Sequence, residues 1–256
     1  MTKIILELIL FYLFYLFIFI SSSGYGKILI SFLSIQSKNV NYFELNLLGN
    51  ILYLVIGYSL YLTSSINPIF NISLFFLGLG VYFFYQKNLN FISLKKIIFY
   101  LSLFFSALLI SKLHEDFSTY HFPGLQEIFV NKLTLGSGNI SLRLVHVSLL
   151  SYIQALYIFP FFEYKLINIP VLHIFISTVG YFFLNFKKLN TSKIEKFFCL
   201  FIFVFLIIKF TRLSEYGYDY IAQFLLLIIF HKLFFLKKNS CELFKSIILF
   251  VFSISI

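Results

Sequence analysis

The only Asp residues in the chain, Asp116 and Asp219, and the only Arg residues, Arg143 and Arg212, fall in or beside two connections between long apolar runs. The first reads Leu113-His114-Glu115-Asp116-Phe117-Ser118-Thr119-Tyr120-His121-Phe122-Pro123 and runs on through Gly136-Ser137-Gly138-Asn139 to Arg143. The second reads Thr211-Arg212-Leu213-Ser214-Glu215-Tyr216-Gly217-Tyr218-Asp219-Tyr220. A carboxylate at the mouth of a helical bundle can take the proton of an acceptor hydroxyl, or hold a divalent cation against a phosphate. His114 and His121 could orient, protonate or ligate a substrate. Arg143 or Arg212 could bind a phosphate or carboxylate bidentately, which Lys does less well.

The same residues have a plainer reading. Helix ends attract charged and polar groups, Pro123 starts or stops an element, and Gly136 with Gly138 permits a turn. His146 and His173 are single imidazoles in apolar runs, where a hydrogen bond to a neighbouring helix is the ordinary role. The spacing His114-x6-His121 is not a recognised metal pattern. GxGxxG, the P-loop lysine motif, HExxH and GxSxG do not occur, so nucleotide hydrolysis and zinc proteolysis have no support.

These connections must be held by membrane helices. The 256 residues are 60% hydrophobic, 22% aromatic and only 12% charged, too apolar for a soluble domain of this size. Apolar runs lie at 4–20, 45–63, 69–86, 97–113, 143–162, 166–186, 197–211, 218–236 and 243–256. A hydrocarbon core asks for roughly 20 helical residues, so the chain is expected to be an all-α polytopic bundle of about eight or nine membrane-embedded segments. Period-2 alternation, which an outer-membrane barrel needs, is absent from these runs. Residues 1–256 read as a single integral-membrane domain, with no linker, composition shift or internal repeat. An amino-terminal secretory signal at Met1 to Phe19 would still be followed by repeated apolar segments.

The formal charge of +10 comes from Lys clusters between the apolar runs, the pattern of positive membrane flanks, and nucleic acid is not an expected partner. Cys199 and Cys241 have no CxxC spacing. Lys87 with Lys95 and Lys96, then Lys187, Lys188, Lys193 and Lys196, then Lys237 with Lys238 make three positive connections. If all are cytoplasmic, an even number of crossings separates each pair, yet three runs (97–113, 143–162 and 166–186) lie between the first two. Either one of the short runs is re-entrant, or the Lys187 to Lys196 connection faces outward against the usual bias. The stretch Gly26 to Ile35 is apolar enough for the interface but too short to cross by itself.

The segment His114 to Pro123, followed by Leu135-Gly136-Ser137-Gly138-Asn139, resembles a motif of an uncharacterised bacterial multi-pass membrane family associated with surface-polysaccharide genes. That pattern is His-Asp-Asp-Phe-x-Tyr-Tyr-His-Phe-Pro, then Gly-x-Gly-Asn-Leu. Arg212-Leu213-Ser214-Glu215-Tyr216-Gly217-Tyr218-Asp219 is similar to its later Arg-Ile-Ser-Glu-Tyr-Gly-x-Asp segment. Glu115 stands where the family more often has Asp, and the expected His-Gly-Phe-Arg run is reduced to Ser141-Leu142-Arg143-Leu144. The likeness spans almost the whole chain, although family members are longer and this sequence ends inside an apolar run, as a C-terminally truncated copy would.

That family in turn resembles polyprenyl-linked glycosyltransferases of GT-C type, whose first large external loop carries an acidic catalytic residue. The resemblance implies a transferase of the bacterial cytoplasmic membrane that takes sugar from a polyprenyl-phosphate donor. Asp116 with Glu115 would be catalytic, and His114, His121, Arg143, Arg212, Glu215 and Asp219 would contact substrate. No organic cofactor is evident, and a divalent cation is a candidate partner. The alternative expectations are a glycan transporter, whose polar connections would form a gate, and a non-enzymatic or inactive component of polysaccharide assembly.

Overall fold

A computed structural model describes residues 2–34, 40–85, 91–110, 117–133, 148–188, 191–214, 219–235 and 240–255, with the backbone alone at 2, 91–94, 120, 214, 219, 240–242 and 255. The long helices are α1 (Thr2–Phe32), α2 (Tyr42–Thr63) and α3 (Pro68–Tyr85), followed by α4 (Phe91–Phe104) with its short continuation α5 (Ser106–Leu109). A π-turn at Phe117–His121 leads into α6 (Phe122–Val130), and α7 (Leu150–Leu156) follows. A 3-10 turn at Tyr164–Leu166 precedes α8 (Ile169–Lys187), then come α9 (Lys193–Phe210), a 3-10 turn at Thr211–Ser214, α10 (Asp219–Phe235) and α11 (Ser240–Ser255).

The chain is therefore an all-α bundle, and among the described residues four helical segments are long and apolar enough to cross a membrane: Lys3–Phe32, Tyr42–Thr63, Pro68–Tyr85 and Tyr164–Lys187. Tyr220–Phe235 and Leu243–Ile254 are shorter apolar helices. Large apolar side chains such as Phe76, Phe84, Phe201 and Ile207 stand exposed on the outside, which suits a lipid solvent and not water. The stretch after Gly26 continues α1 to Phe32, giving a helix of 31 residues.

Lipid gives helices no hydrophobic reason to associate, so close backbone packing and polar contacts must hold them together. Small residues allow that approach. A Cβ at Gly26 would overlap the Leu45 carbonyl of α2, and one at Gly24 would overlap the Gly78 carbonyl of α3. Beside these crossings the Ser21 hydroxyl donates to the Phe75 carbonyl at 2.9 Å, and the Asn46 amide donates to the Ser22 hydroxyl. Ser177 of α8 donates to Asn46 Oδ1 at 3.0 Å, tying a fourth helix to the same polar spine.

The run 143–162 does not form one span. Its described part holds α7, seven residues long and buried at every position. At ~1.5 Å per residue that helix is about 10 Å long, a third of a hydrocarbon core. Asn71 of α3 lets it end inside the protein, because its amide donates to the carbonyls of Ala155 at 3.0 Å and Ile158 at 2.8 Å. The Ala155 carbonyl also accepts from the Ile158 N–H at 3.3 Å, and Asn71 adds a side-chain donor for the Ile158 carbonyl in an apolar interior.

This short helix also removes the parity problem of the lysine clusters. Lys95 and Lys96, in the first turns of α4, line one groove with Lys187 in the last turn of α8. The chain leaves that end through α4 and α5 and returns to it through α8, so Lys95 and Lys96 share one end of the bundle with Lys187, while Lys87 lies outside the described residues.

Candidate functional site

Most of the residues that the sequence singles out lie outside the described residues: His114, Glu115 and Asp116 in 111–116, Arg143 in 134–147, and Glu215 in 215–218. His146 is in the same position, whereas Asp219 opens α10 with its backbone alone described. His121 closes the π-turn, half-buried, and Arg212 is exposed in the 3-10 turn after α9.

The described flanks of the two charged connections converge. The α5 segment, which leads towards 111–116, packs against the Thr211–Ser214 turn. The Asn168 amide, at the start of α8, donates to the Leu213 carbonyl at 2.6 Å and holds that turn in place. On the other flank, Phe122 lies 5.1 Å from Tyr164, ring centre to ring centre, and the Leu133 N–H donates to the Tyr61 carbonyl at 2.8 Å. The segments carrying His121 and Arg212 thus sit at the end of the bundle remote from Lys95 and Lys187.

An apolar trough of about 700 Å³ runs towards this end between α4–α5, α8 and α9. Phe104, Phe175 and Phe210 form its wall there, with Phe104 5.4 Å from Phe175 and 5.8 Å from Phe210. Among the described lining residues Ser106 alone is polar. Phe210, at the end of the lining, is followed two residues later by Arg212 in the 3-10 turn. Among the described residues no group of three or more His, Cys, Asp or Glu gathers as metal ligands. The carboxylates at 115 and 116 that would hold a cation lie beyond them.

The chain belongs to the family described as Domain of unknown function (DUF8201). Its match covers residues 8–256. No curated protein and no solved structure matches the chain.

A second polar cluster of this DUF8201 member was not visible in its apolar runs. At the lysine-rich end, Lys232 of α10 pairs with Glu44 of α2, and its ammonium lies 5.3 Å from the centre of the Tyr181 ring. One residue earlier, His231 Nε2 lies 3.1 Å from Glu195 Oε1 of α9, and Nδ1 lies 2.8 Å from the Tyr181 hydroxyl of α8. An ionised carboxylate only accepts, so Nε2 carries a proton towards Glu195; in the neutral ring Nδ1 then accepts from Tyr181. Four helices meet through these five side chains, all of them buried.

Two local signals could have marked the acids. Asn41-x-x-Glu44 forms a full capping box at the start of α2, with Glu44 N–H donating to Asn41 Oδ1 at 2.9 Å. Ser192-x-x-Glu195 repeats the spacing at α9, where Glu195 N–H donates to Ser192 Oγ at 3.1 Å. In both cases the carboxylate also reaches a cation or imidazole on α10. His173, by contrast, is fully buried with neither ring nitrogen hydrogen-bonded among the described residues, and packs on the rings of Tyr15 and Phe19. The expected hydrogen bond to a neighbouring helix is not made there.

Proposed function

We propose that the chain is a membrane-embedded glycosyltransferase that moves sugar from a polyprenyl-phosphate donor to an envelope glycan or lipid in the bacterial cytoplasmic membrane. The proposed architecture is GT-C-like, with about eight or nine membrane-embedded segments. The observation that carries the reading is the apolar trough whose lining reaches Phe210, two residues before Arg212. An isoprenoid chain would lie in it, with the donor phosphate held by Arg212 and, from the other connection, Arg143. Asp116, with Glu115 beside it, accepts the proton of the acceptor hydroxyl as that oxygen bonds to the anomeric carbon. The bond from that carbon to the phosphate oxygen breaks, and the lipid phosphate departs with the electron pair. His114, His121, Glu215 and Asp219 position the sugars.

The test follows labelled sugar into acceptor in purified membranes. Asp116→Asn keeps size while removing the charge of the base, so transfer should fall roughly 10²-fold while the protein accumulates normally. Glu115→Gln and Asp219→Asn separate the neighbouring acid and the second connection. Full transfer by Asp116→Asn would remove Asp116 from the catalytic role.

A second reading, transport of a lipid-linked glycan, draws on the buried Glu44–Lys232 pair and the His231 cluster, since ionisable groups inside helical bundles often line transport paths. Movement of the intact lipid-linked glycan without a new glycosidic bond would favour it.

A further inference from the structure

We propose that the groove between the first turns of α2 and α4 and the last turn of α8 binds an anionic glycerophospholipid. The groove encloses about 580 Å³. Its walls include Phe43, Tyr100 and Phe183, and Lys95, Lys96 and Lys187 stand in its lining. All three lysines are exposed. Lys95 and Lys96 have no hydrogen-bond or ion-pair partner among the described residues, and the Lys187 ammonium lies 4.2 Å from the centre of the Phe183 ring.

Charge and shape select the occupant. No carboxylate is among the groove's described lining residues. The nearby Glu44 is turned inward, engaged by Lys232 and by the Asn41 N–H at 3.3 Å, so it does not offset the three ammonium groups. The positive end of the α2 dipole adds to the same field, because Asn41 and Tyr42 are part of the lining. A free phosphate would satisfy the lysines but leave the aromatic walls wet. A phosphodiester bearing acyl chains satisfies both, and Phe183 also lines the trough between α4–α5, α8 and α9, giving a chain an apolar continuation. Basic pockets between membrane helices on the positively flanked side recognise lipid head groups in this way. The head-group site does not rest on the transferase reading, because its lysines lie at the opposite end of the bundle from Arg212, although a long acyl chain would extend towards the trough assigned there to the isoprenoid.

The experiment uses the full-length protein in phosphatidylcholine bilayers containing traces of spin-labelled phosphatidylglycerol or spin-labelled phosphatidylcholine, and reads the motionally restricted fraction of each. Wild type should restrict phosphatidylglycerol in preference to phosphatidylcholine. The combined variant Lys95→Gln, Lys96→Gln, Lys187→Gln should lose about tenfold of that preference, on the scale of one to two lysines' worth of attraction to an anionic head group. Arginine at the same three positions should retain it, which separates lost charge from lost folding. Lys193→Gln with Lys196→Gln removes charge from the same end outside the groove and should keep the preference. Equal restriction of the two lipids by wild type, an unchanged preference in the glutamine variant, or equal losses in the groove and control variants would each overturn the proposal. Glycerophosphoglycerol, the head group without chains, should not displace the lipid at matched concentration; displacement would show a phosphate site and reject the lipid.

Discussion

His231 of α10 and Glu195 of α9 meet at 3.1 Å, with the opposite ring nitrogen of His231 2.8 Å from the Tyr181 hydroxyl of α8. One imidazole therefore joins three helices through bonds that burial makes expensive to lose. His231→Phe keeps the ring volume and strands both partners, so it should lower unfolding stability by roughly 1–3 kcal/mol, seen as a reduced thermal midpoint in detergent. Glu195→Gln retains an acceptor oxygen and should cost less. Equal stability of His231→Phe and wild type would show that the cluster contributes nothing to folding.

The Glu44–Lys232 pair predicts non-additive stability. Breaking a buried pair from one side leaves an uncompensated charge, an effect of about 3–5 kcal/mol. Lys232→Met and Glu44→Gln should each destabilise strongly, while the double variant recovers much of the loss. Additive effects in the double-mutant cycle would mean that each group is held by something other than its partner.

The glycines on α1 to α3 can be ranked before any measurement. Gly26→Val places atoms where the Leu45 carbonyl lies and should separate α1 from α2, at the upper end of the ~1–3 kcal/mol overpacking range or beyond. Gly80 has open space around its Cβ direction, so Gly80→Ala should be neutral or slightly stabilising. Folded yield by size-exclusion chromatography compares the two, and a similar yield would count against the tight α1–α2 crossing.

Opposed ends of the bundle predict opposed labelling. Cysteine at Ser93, beside Lys95, and at Ser118, in the π-turn, should differ in reaction with an impermeant thiol reagent on intact cells. The background should lack Cys199 and Cys241. The lysine-rich end is expected inside, so Ser118→Cys should label and Ser93→Cys should not. Equal labelling would contradict the placement of these segments at different faces.

The sequence by itself determined the solvent. A membrane bundle follows from apolar runs, since hydropathy is a sum over contiguous residues and needs no knowledge of partners. It also located α2, α3 and α8 to within a few residues, but ended the first run at residue 20, twelve residues short of the end of α1 at Phe32. It isolated the Arg212 turn and the His121 segment, whose neighbours the structure gathers at one end. It could not separate the buried helix α7 from a span, because a segment shielded by protein and one dissolved in lipid have the same apolar composition; Asn71, over eighty positions away from Ile158, makes the difference. Nor could it find Lys232 beside Glu44, 188 positions apart, or the meeting of Glu195, His231 and Tyr181. Local sequence fixes where a helix starts and which solvent it tolerates. Which polar side chains neutralise one another depends on helix crossings set by glycines and buried amides, and that was decided only when the helices packed.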